Sequence, residues 1–183
     1  MCKVITLSRA FLPYHPKAGQ PTFFAEKVLL SLKEQGIYTP QAKDYSLEFG
    51  KTLMNFDRFK PKGHTVRSGH RFKTGDMASL RVWGVNVNPK SGRSGPYHSR
   101  QEILCPDVEV KVWDFTFCRG YFCLDGKVYH GEIESDHELL ETIANNDGLE
   151  INDFKDWFFK SPTFKKTNSF DGQIIAWSKD LKY

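Results

Sequence analysis

Apolar and polar residues alternate along several short stretches of the chain, as expected of β-strands that bury one face. The clearest alternation is Val108, Val110 and Val112, each preceded by a charged residue. Two further short strands flank Asp125-Gly126, a dipeptide typical of hairpin turns. The pattern therefore predicts strands at residues 3–8, 65–67, 77–85, 107–118 and 169–180, with a hairpin within 121–133.

A different spacing predicts the first helix. Phe24, Val28 and Leu32 recur every four residues behind Thr22, a residue suited to cap a helix N-terminus. Gly36 is a typical residue for the end of such a helix. We expect the helix to bury this apolar side.

Two more helices are predicted in the last third of the chain. Ser135 and Glu138 have the spacing of a capping box, which predicts a helix from Ser135 to about residues 146–148. Asn152 is the predicted cap of the next helix. The apolar face of that helix is formed by Phe154, Trp157 and Phe158.

This order of elements places few long helices between strands, which favours a small mixed barrel over a doubly wound sheet. We predict an α+β fold with a β-barrel of about five to seven strands and peripheral helices. Residues 1–183 are expected to form a single domain. Residues 37–57 are predicted to be an insertion, and residues 86–101 a long loop.

Composition limits the classes of protein. The chain is 39% hydrophobic and 14% aromatic, which excludes a disordered polymer. No apolar run approaches the roughly twenty residues that span a bilayer. The N-terminal residues lack the apolar stretch of a signal peptide, so we expect a cytoplasmic protein without a membrane partner. Four cysteines are too few for a disulfide scaffold, and we expect no metal and no cofactor.

Charge is distributed unevenly along the chain. The formal net charge is +4, yet residues 58–100 contain ten Lys or Arg and a single acid, Asp76. The rest of the chain is acidic overall. A basic block in an otherwise acidic chain favours a polyanionic partner. A solvated basic loop would show the same pattern.

The basic block carries a family resemblance. It reads KGHTVR at residues 62–67, RFKTGD at residues 71–76 and LRVW at residues 80–83. This order of Lys, Thr and Arg, followed by Lys-x-Gly-Asp and a strand, resembles the ASCH domain. That family is a β-barrel superfamily similar to the PUA RNA-binding domain. The resemblance implies a PUA-like barrel and one binding cleft.

Small ASCH proteins that act as N4-acetylcytidine amidohydrolases use a Lys, a Thr three residues later and a carboxylate from a later helix. The resemblance implies that Lys62 and Thr65 match the first two, and that Asp147 stands where the family has Glu. Such chemistry is coherent, because a Thr hydroxyl needs a neighbouring base, and a desolvated Lys can supply one.

The first hypothesis is a binding module that uses this cleft without any reaction, and the amidohydrolase is its alternative. RNA is a stronger candidate ligand than DNA, and a modified nucleoside is also possible. Thr65 would then only donate a hydrogen bond. Arg67 lies two residues beyond Thr65 and therefore on the same strand face, where its guanidinium can bind phosphate or carboxylate. The remaining predicted ligand contacts are His64, Arg71, Lys73, Tyr97 and Arg100.

Overall fold

The computed structural model describes residues 2–37, 59–84, 90, 92, 98 and 100–183. Tyr97 and most of the two predicted insertions lie outside these residues. The described elements are, in chain order, β1 (Lys3–Leu7), α1 (Phe24–Glu34), β2 (His64–Ser68), β3 (Met77–Trp83), β4 (Gln101–Glu109), β5 (Lys111–Cys118), β6 (Tyr121–Leu124), β7 (Lys127–His130), α2 (Glu134–Asn146), α3 (Ile151–Phe159), α4 (Pro162–Thr167) and β8 (Ser169–Ala176).

The strands form two sheets, so the α+β class is confirmed. The first sheet has three strands in the order β1-β3-β4, and β1 runs parallel to β3. The second sheet is antiparallel and has five strands in the order β2-β8-β5-β6-β7. Within the described residues no strand pairing joins the two sheets into a closed barrel.

The predicted single strand over residues 107–118 is wrong, because the chain changes sheets at Val110. The Val110 amide donates to the Asp76 carbonyl at 3.0 Å, and its carbonyl accepts from the Gly75 amide at 2.9 Å. Val110 is also buried. Val108 and Val110 are buried and Val112 is half-buried, so the apolar alternation of the three valines runs through the junction and does not reveal the break.

The first of these two strands begins earlier than alternation suggests. β4 starts at Gln101, at the end of the predicted loop 86–101. Pairing between β3 and β4 shifts register on both sides of Leu80, and Pro106 lies within β4. An irregular strand of this kind does not keep a two-residue period.

The buried faces of the helices agree with the prediction better than the residues at which the helices begin. Ser135 and Asn152 lie inside α2 and α3 instead of capping them, so both predicted caps are wrong. The short helix α4 was not predicted, although Ser161 caps it by accepting from the Phe164 amide at 3.1 Å. No helix in the described part of the chain is long and apolar enough to cross a bilayer.

Aromatic packing joins α3 to the larger sheet, as its apolar spacing predicted. The Phe154 ring lies 5.7 Å from Phe117 of β5 and 6.4 Å from Phe115. Phe158 lies 6.0 Å from Phe117, and all four rings are buried. Trp157 of the same helix is only half-buried and points elsewhere, towards the site described below.

Gly172 is expected to be indispensable for the pairing of β2 with β8. A Cβ at this position would lie 2.0 Å from the Arg67 carbonyl oxygen, a distance that no relaxation of side chains can relieve. We expect Gly172→Ala to separate these strands and lower the free energy of unfolding by more than about 3 kcal/mol. Urea unfolding followed by circular dichroism measures this loss.

Gly131→Ala is the matched control for that substitution. The nearest atom to a Cβ there is the Gly120 carbonyl oxygen at 3.6 Å, an ordinary contact. We expect its cost to stay within about 1 kcal/mol. Equal stability losses for the two variants would show that β2 is not held against β8 in this register.

Candidate functional site

The candidate site lies between two strands that belong to different sheets. β1 and β2 are each the end strand of their sheet. The Arg67 side chain crosses from β2 and donates through Nη2 to the Thr6 carbonyl of β1 at 2.5 Å. Beside it is a cavity of about 370 Å³, here called the cleft, lined by Thr6, Leu7, Ser8, Leu12, Phe24, Thr65, Val66, Arg67, Trp83, Asp147 and Trp157.

Backbone contacts with several elements fix Lys62, which precedes β2. Its amide donates to the Lys27 carbonyl of α1 at 3.0 Å, and its carbonyl accepts from the Trp177 indole at 3.1 Å. The next amide, that of Gly63, donates to the Asn146 carbonyl at the end of α2 at 2.9 Å. Lys62 is therefore positioned by residues distant in sequence.

Asp147 is placed by the end of α2. Its amide donates to the Ile143 carbonyl at 3.0 Å, which continues the helical pattern. Gly148 then turns the chain with a φ of 78°, a conformation that favours glycine. A Cβ on Gly148 would lie 3.3 Å from the Lys62 Cβ, so the turn also allows the lysine to pack closely.

Lys62 and Asp147 form a buried pair. The Lys62 Nζ lies 2.7 Å from the Asp147 Oδ1 and also donates to the Asp147 main-chain carbonyl. Lys62 is 0% exposed and Asp147 is 6% exposed. The ammonium also lies 4.2 Å from the centre of the Phe24 ring, a favourable cation–π geometry. Lysine is almost never buried without such partners.

Burial shifts both members of this pair towards their neutral forms. Desolvation, with the positive charge of Arg67 acting in the same direction, lowers the pKa of Lys62 to about 8 against the opposing effect of Asp147. Desolvation raises the pKa of Asp147, although Lys62, Arg67 and the Val66 amide oppose the change. An amine with a pKa near neutrality can accept a proton under physiological conditions.

Thr65 lines the cleft together with Asp147, whereas Lys62, 0% exposed, is not among the residues that line it. Its neighbour along β2, Val66, donates its amide to the Asp147 Oδ1 at 3.3 Å, so the carboxylate lies beside the strand that carries Thr65. Thr65 is 5% exposed and lines the cleft. The Thr65 hydroxyl makes no hydrogen bond with the described residues, which leaves it open to a ligand. The structure thus brings Lys62, Thr65 and Asp147 together.

The other predicted ligand contacts are placed differently. Arg67 lines the cleft, whereas Arg71 lines a neighbouring cavity. Lys73 and Arg100 are exposed and line neither. His64 is 0% exposed, which argues against a direct contact with a large ligand.

His64 is instead part of an internal network that sequence reasoning missed. Its Nδ1 lies 2.6 Å from the Tyr183 hydroxyl, which also accepts from the Asn146 side chain at 2.9 Å. The His64 Nε2 lies 3.9 Å from the Asp147 Oδ1 and has no hydrogen-bond partner. Burial lowers the pKa of His64 well below its ordinary value, with Lys62 acting in the same direction, so the ring is neutral.

The aromatic wall of the cleft was also missed. Phe24 and Trp157 meet with ring centroids 5.7 Å apart, and Trp83 lines the same cavity. Phe24 and Trp157 both lie on the apolar helix faces that the sequence predicted. Helical spacing alone does not distinguish a core residue from one that lines a cavity. The sequence of α3 held one signal for this wall: among Phe154, Trp157 and Phe158, only Trp157 carries a polar N–H on its ring.

The described residues contain no group of three or more His, Cys, Asp or Glu side chains arranged to hold a metal ion. The free thiols are Cys2, Cys105, Cys118 and Cys123, and none of them lines the cleft. The cleft therefore offers hydroxyl, carboxylate and guanidinium groups, and the Lys62 amine is bonded to that carboxylate.

Breaking the buried pair from either side is expected to destabilise the protein. Lys62→Met leaves a buried carboxylate unpaired, and Asp147→Asn leaves a buried ammonium unpaired, each costing about 3–5 kcal/mol. The double variant should cost less than the sum of the two, because no charge is left without its partner. Urea unfolding of the three variants measures the coupling.

The exposed ion pair of Lys160 and Asp156, 3.1 Å apart on α3 and its end, is the control. Lys160→Met should cost less than about 1 kcal/mol. Strictly additive losses at Lys62 and Asp147 would show that the two side chains do not stabilise each other.

Comparisons of the chain with protein families, with curated proteins and with solved structures find no match. The resemblance of residues 62–83 to the ASCH domain therefore stays a prediction, and the site has to be interpreted from its own geometry.

Proposed function

We propose that the cleft binds a cytidine-like nucleoside with an acyl group on N4 and hydrolyses its amide bond. The observation that carries the proposal is a wholly buried lysine, Lys62. Its amine lies 2.7 Å from the Asp147 carboxylate, and Asp147 lines the cleft together with Thr65. The resemblance to small amidohydrolases of the ASCH family supports the proposal at Lys62 and Thr65, with Asp147 standing where that family has Glu.

The shape and lining of the cleft suit a nucleobase. Its volume of about 370 Å³ lies in the lower part of the range of roughly 300–1,000 Å³ typical of small-molecule sites. Phe24, Trp83 and Trp157 offer flat apolar faces for stacking. Thr65, Arg67 and Asp147 supply a few polar groups that can fix the orientation of a ring.

The reaction divides into two steps. The Thr65 hydroxyl adds to the acyl carbon while its proton passes to the neutral Lys62 amine. The C–N bond then breaks, and the cytosine amine leaves with the proton from Lys62. Water attacks the acyl-threonine ester, which releases a carboxylic acid and restores the hydroxyl. Asp147 holds the amine in place and returns it to its starting position.

Arg67 supports the same reaction. Among the described residues its guanidinium bonds the Thr6 carbonyl and has no carboxylate within salt-bridge distance. Burial disfavours the Arg67 charge, and the Asp147 carboxylate that opposes this effect is already held by Lys62, which favours a ligand oxygen as a further partner. The remaining guanidinium N–H groups can bind the oxygen of the base or of the tetrahedral intermediate.

A binding module without chemistry is the second candidate, and one observation favours it. Both observed hydrogen bonds of the Lys62 amine go to Asp147, and none goes to Thr65. In that case Thr65 only donates to a nucleoside or to a base of RNA, and Lys62 keeps Asp147 charged. An assay for the release of cytidine from N4-acetylcytidine separates the two candidates.

The resemblance also extends the description of the fold. We propose that the two sheets correspond to a PUA-like barrel that is open between β1 and β2. Val110 supports this by joining the sheets at one side, where β4 passes into β5. The Arg67 bridge to the Thr6 carbonyl supports it at the other side.

Release of cytidine from N4-acetylcytidine, measured by chromatography, tests the enzymatic proposal. Lys62→Ala and Thr65→Ala should each lower kcat by at least about 100-fold, the usual contribution of a positioned acid–base or nucleophilic group. Thr116→Ala, at a threonine bonded to Asp171 on the larger sheet, is the matched control and should leave kcat unchanged. Turnover that survives both site substitutions would eliminate the Lys-Thr mechanism.

The pH dependence of kcat/KM provides a further check on Lys62. Its base form is the neutral amine, whose fraction rises about tenfold per pH unit below its pKa of about 8 and levels off above it. We therefore expect kcat/KM to rise between pH 6 and 8 and to reach a plateau near pH 9. A rate that is constant across this range would contradict the role of Lys62 as the base. Cytidine binding without any turnover would favour the binding module.

A further inference from the structure

A second cavity lies on the other side of Arg67. It has a volume of about 280 Å³, and we call it the side cavity; Thr6, Arg67, Ser68, Gly69, Arg71 and Phe72 contribute to its lining. Thr6 and Arg67 line both the side cavity and the cleft. A single ligand that extends past the Arg67 side chain can therefore occupy both cavities.

The residues that line the side cavity make it positively charged. They include two arginines and no acidic residue. Neither Arg67 nor Arg71 forms an ion pair with the residues that the structure describes. The nearby Asp76 is already held by the Lys3 amine at 2.5 Å and by the Lys73 amide at 2.7 Å. Two unpaired guanidinium groups around one cavity favour an anion.

The open edge of β2 adds a main-chain donor. The Val66 amide faces away from β8, since it donates to the Asp147 carboxylate. Alternation along a strand directs the Ser68 amide to the same open edge, two residues further on. Ser68, Arg67 and Arg71 all line the side cavity, so its lining includes one residue with an open-edge amide and two cationic residues. This combination suits the oxygens of a phosphate.

We propose that the side cavity binds the phosphate of a nucleoside monophosphate whose base occupies the cleft. The inference rests on the proposed nucleoside function of the cleft and names its substrate class as a mononucleotide. The side cavity is smaller than the cleft, which fits a sugar and one phosphate better than a continuing strand. The phosphate would neutralise the positive charges of Arg67 and Arg71.

Calorimetric titration with cytidine and with cytidine 5′-monophosphate tests the proposal. We expect the monophosphate to bind about tenfold more tightly, as charge-assisted hydrogen bonds to phosphate would produce. Arg71→Gln should remove most of this preference. Arg71 is exposed, so the variant is expected to fold. Arg119→Gln makes the same change of charge at another exposed arginine, outside both cavities, and should leave the preference intact.

Equal affinities for cytidine and its monophosphate would overturn the side-cavity proposal. So would an equal loss of monophosphate affinity in the Arg71 and Arg119 variants, because the effect would then be one of net charge. Tighter binding of a five-nucleotide RNA than of the monophosphate would overturn the assignment to a mononucleotide.

The two proposals fail in different ways. Hydrolysis of N4-acetylcytidine together with equal affinities would leave the amidohydrolase standing and remove the phosphate subsite. A preference for the monophosphate that depends on Arg71, with no hydrolysis of N4-acetylcytidine or of its 5′-monophosphate, would support the phosphate subsite and eliminate the amidohydrolase.

Discussion

The burial of one lysine amine organises the region where the helices meet the two sheets. Removing an ammonium group from water costs several kcal/mol unless other groups replace its hydration. Here the replacement comes from the carboxylate and carbonyl of Asp147 and from the Phe24 ring. α1, the end of α2 and the residues after β8 must all be in place before Lys62 is satisfied, so the site and the fold form together.

The same requirement gives the site its chemistry. An amine kept out of water has a lowered pKa, and a lowered pKa is what a base needs near neutral pH. A surface lysine with the same Asp partner would remain charged. The neutral His64 behind the pair, with its unpartnered Nε2 directed at the Asp147 side, adds no further positive charge.

Local sequence rules predicted most elements but not the point where the sheets divide. Alternation predicted the strands, and four-residue spacing predicted the buried faces of α1 and α3, because each depends on neighbours a few residues away. Val110 shows the limit of this reasoning, since its burial fits one long strand equally well. Its contacts with the Gly75-Asp76 turn, which reveal the break, involve a distant part of the chain.

The site could be predicted only where a motif linked distant residues. Lys62, Thr65 and Asp147 were grouped through a family resemblance; in the structure Lys62 contacts Asp147, and Asp147 lines one cleft with Thr65. Tyr183 was not found, because nothing in its local sequence points to His64, 119 positions away. The basic block also proved misleading as a unit, since it includes a buried lysine, a half-buried arginine and exposed residues such as Lys73.

The bond between the Val66 amide and the Asp147 carboxylate has a consequence beyond catalysis. A strand at the end of a sheet exposes unpaired amides that can pair with a strand of another molecule. On β2 one of these amides is covered by a side chain of the candidate site. Asp147, which holds the Lys62 amine, thus also covers one amide of a strand edge that another molecule can pair with, and this opposes self-association whatever the cleft binds.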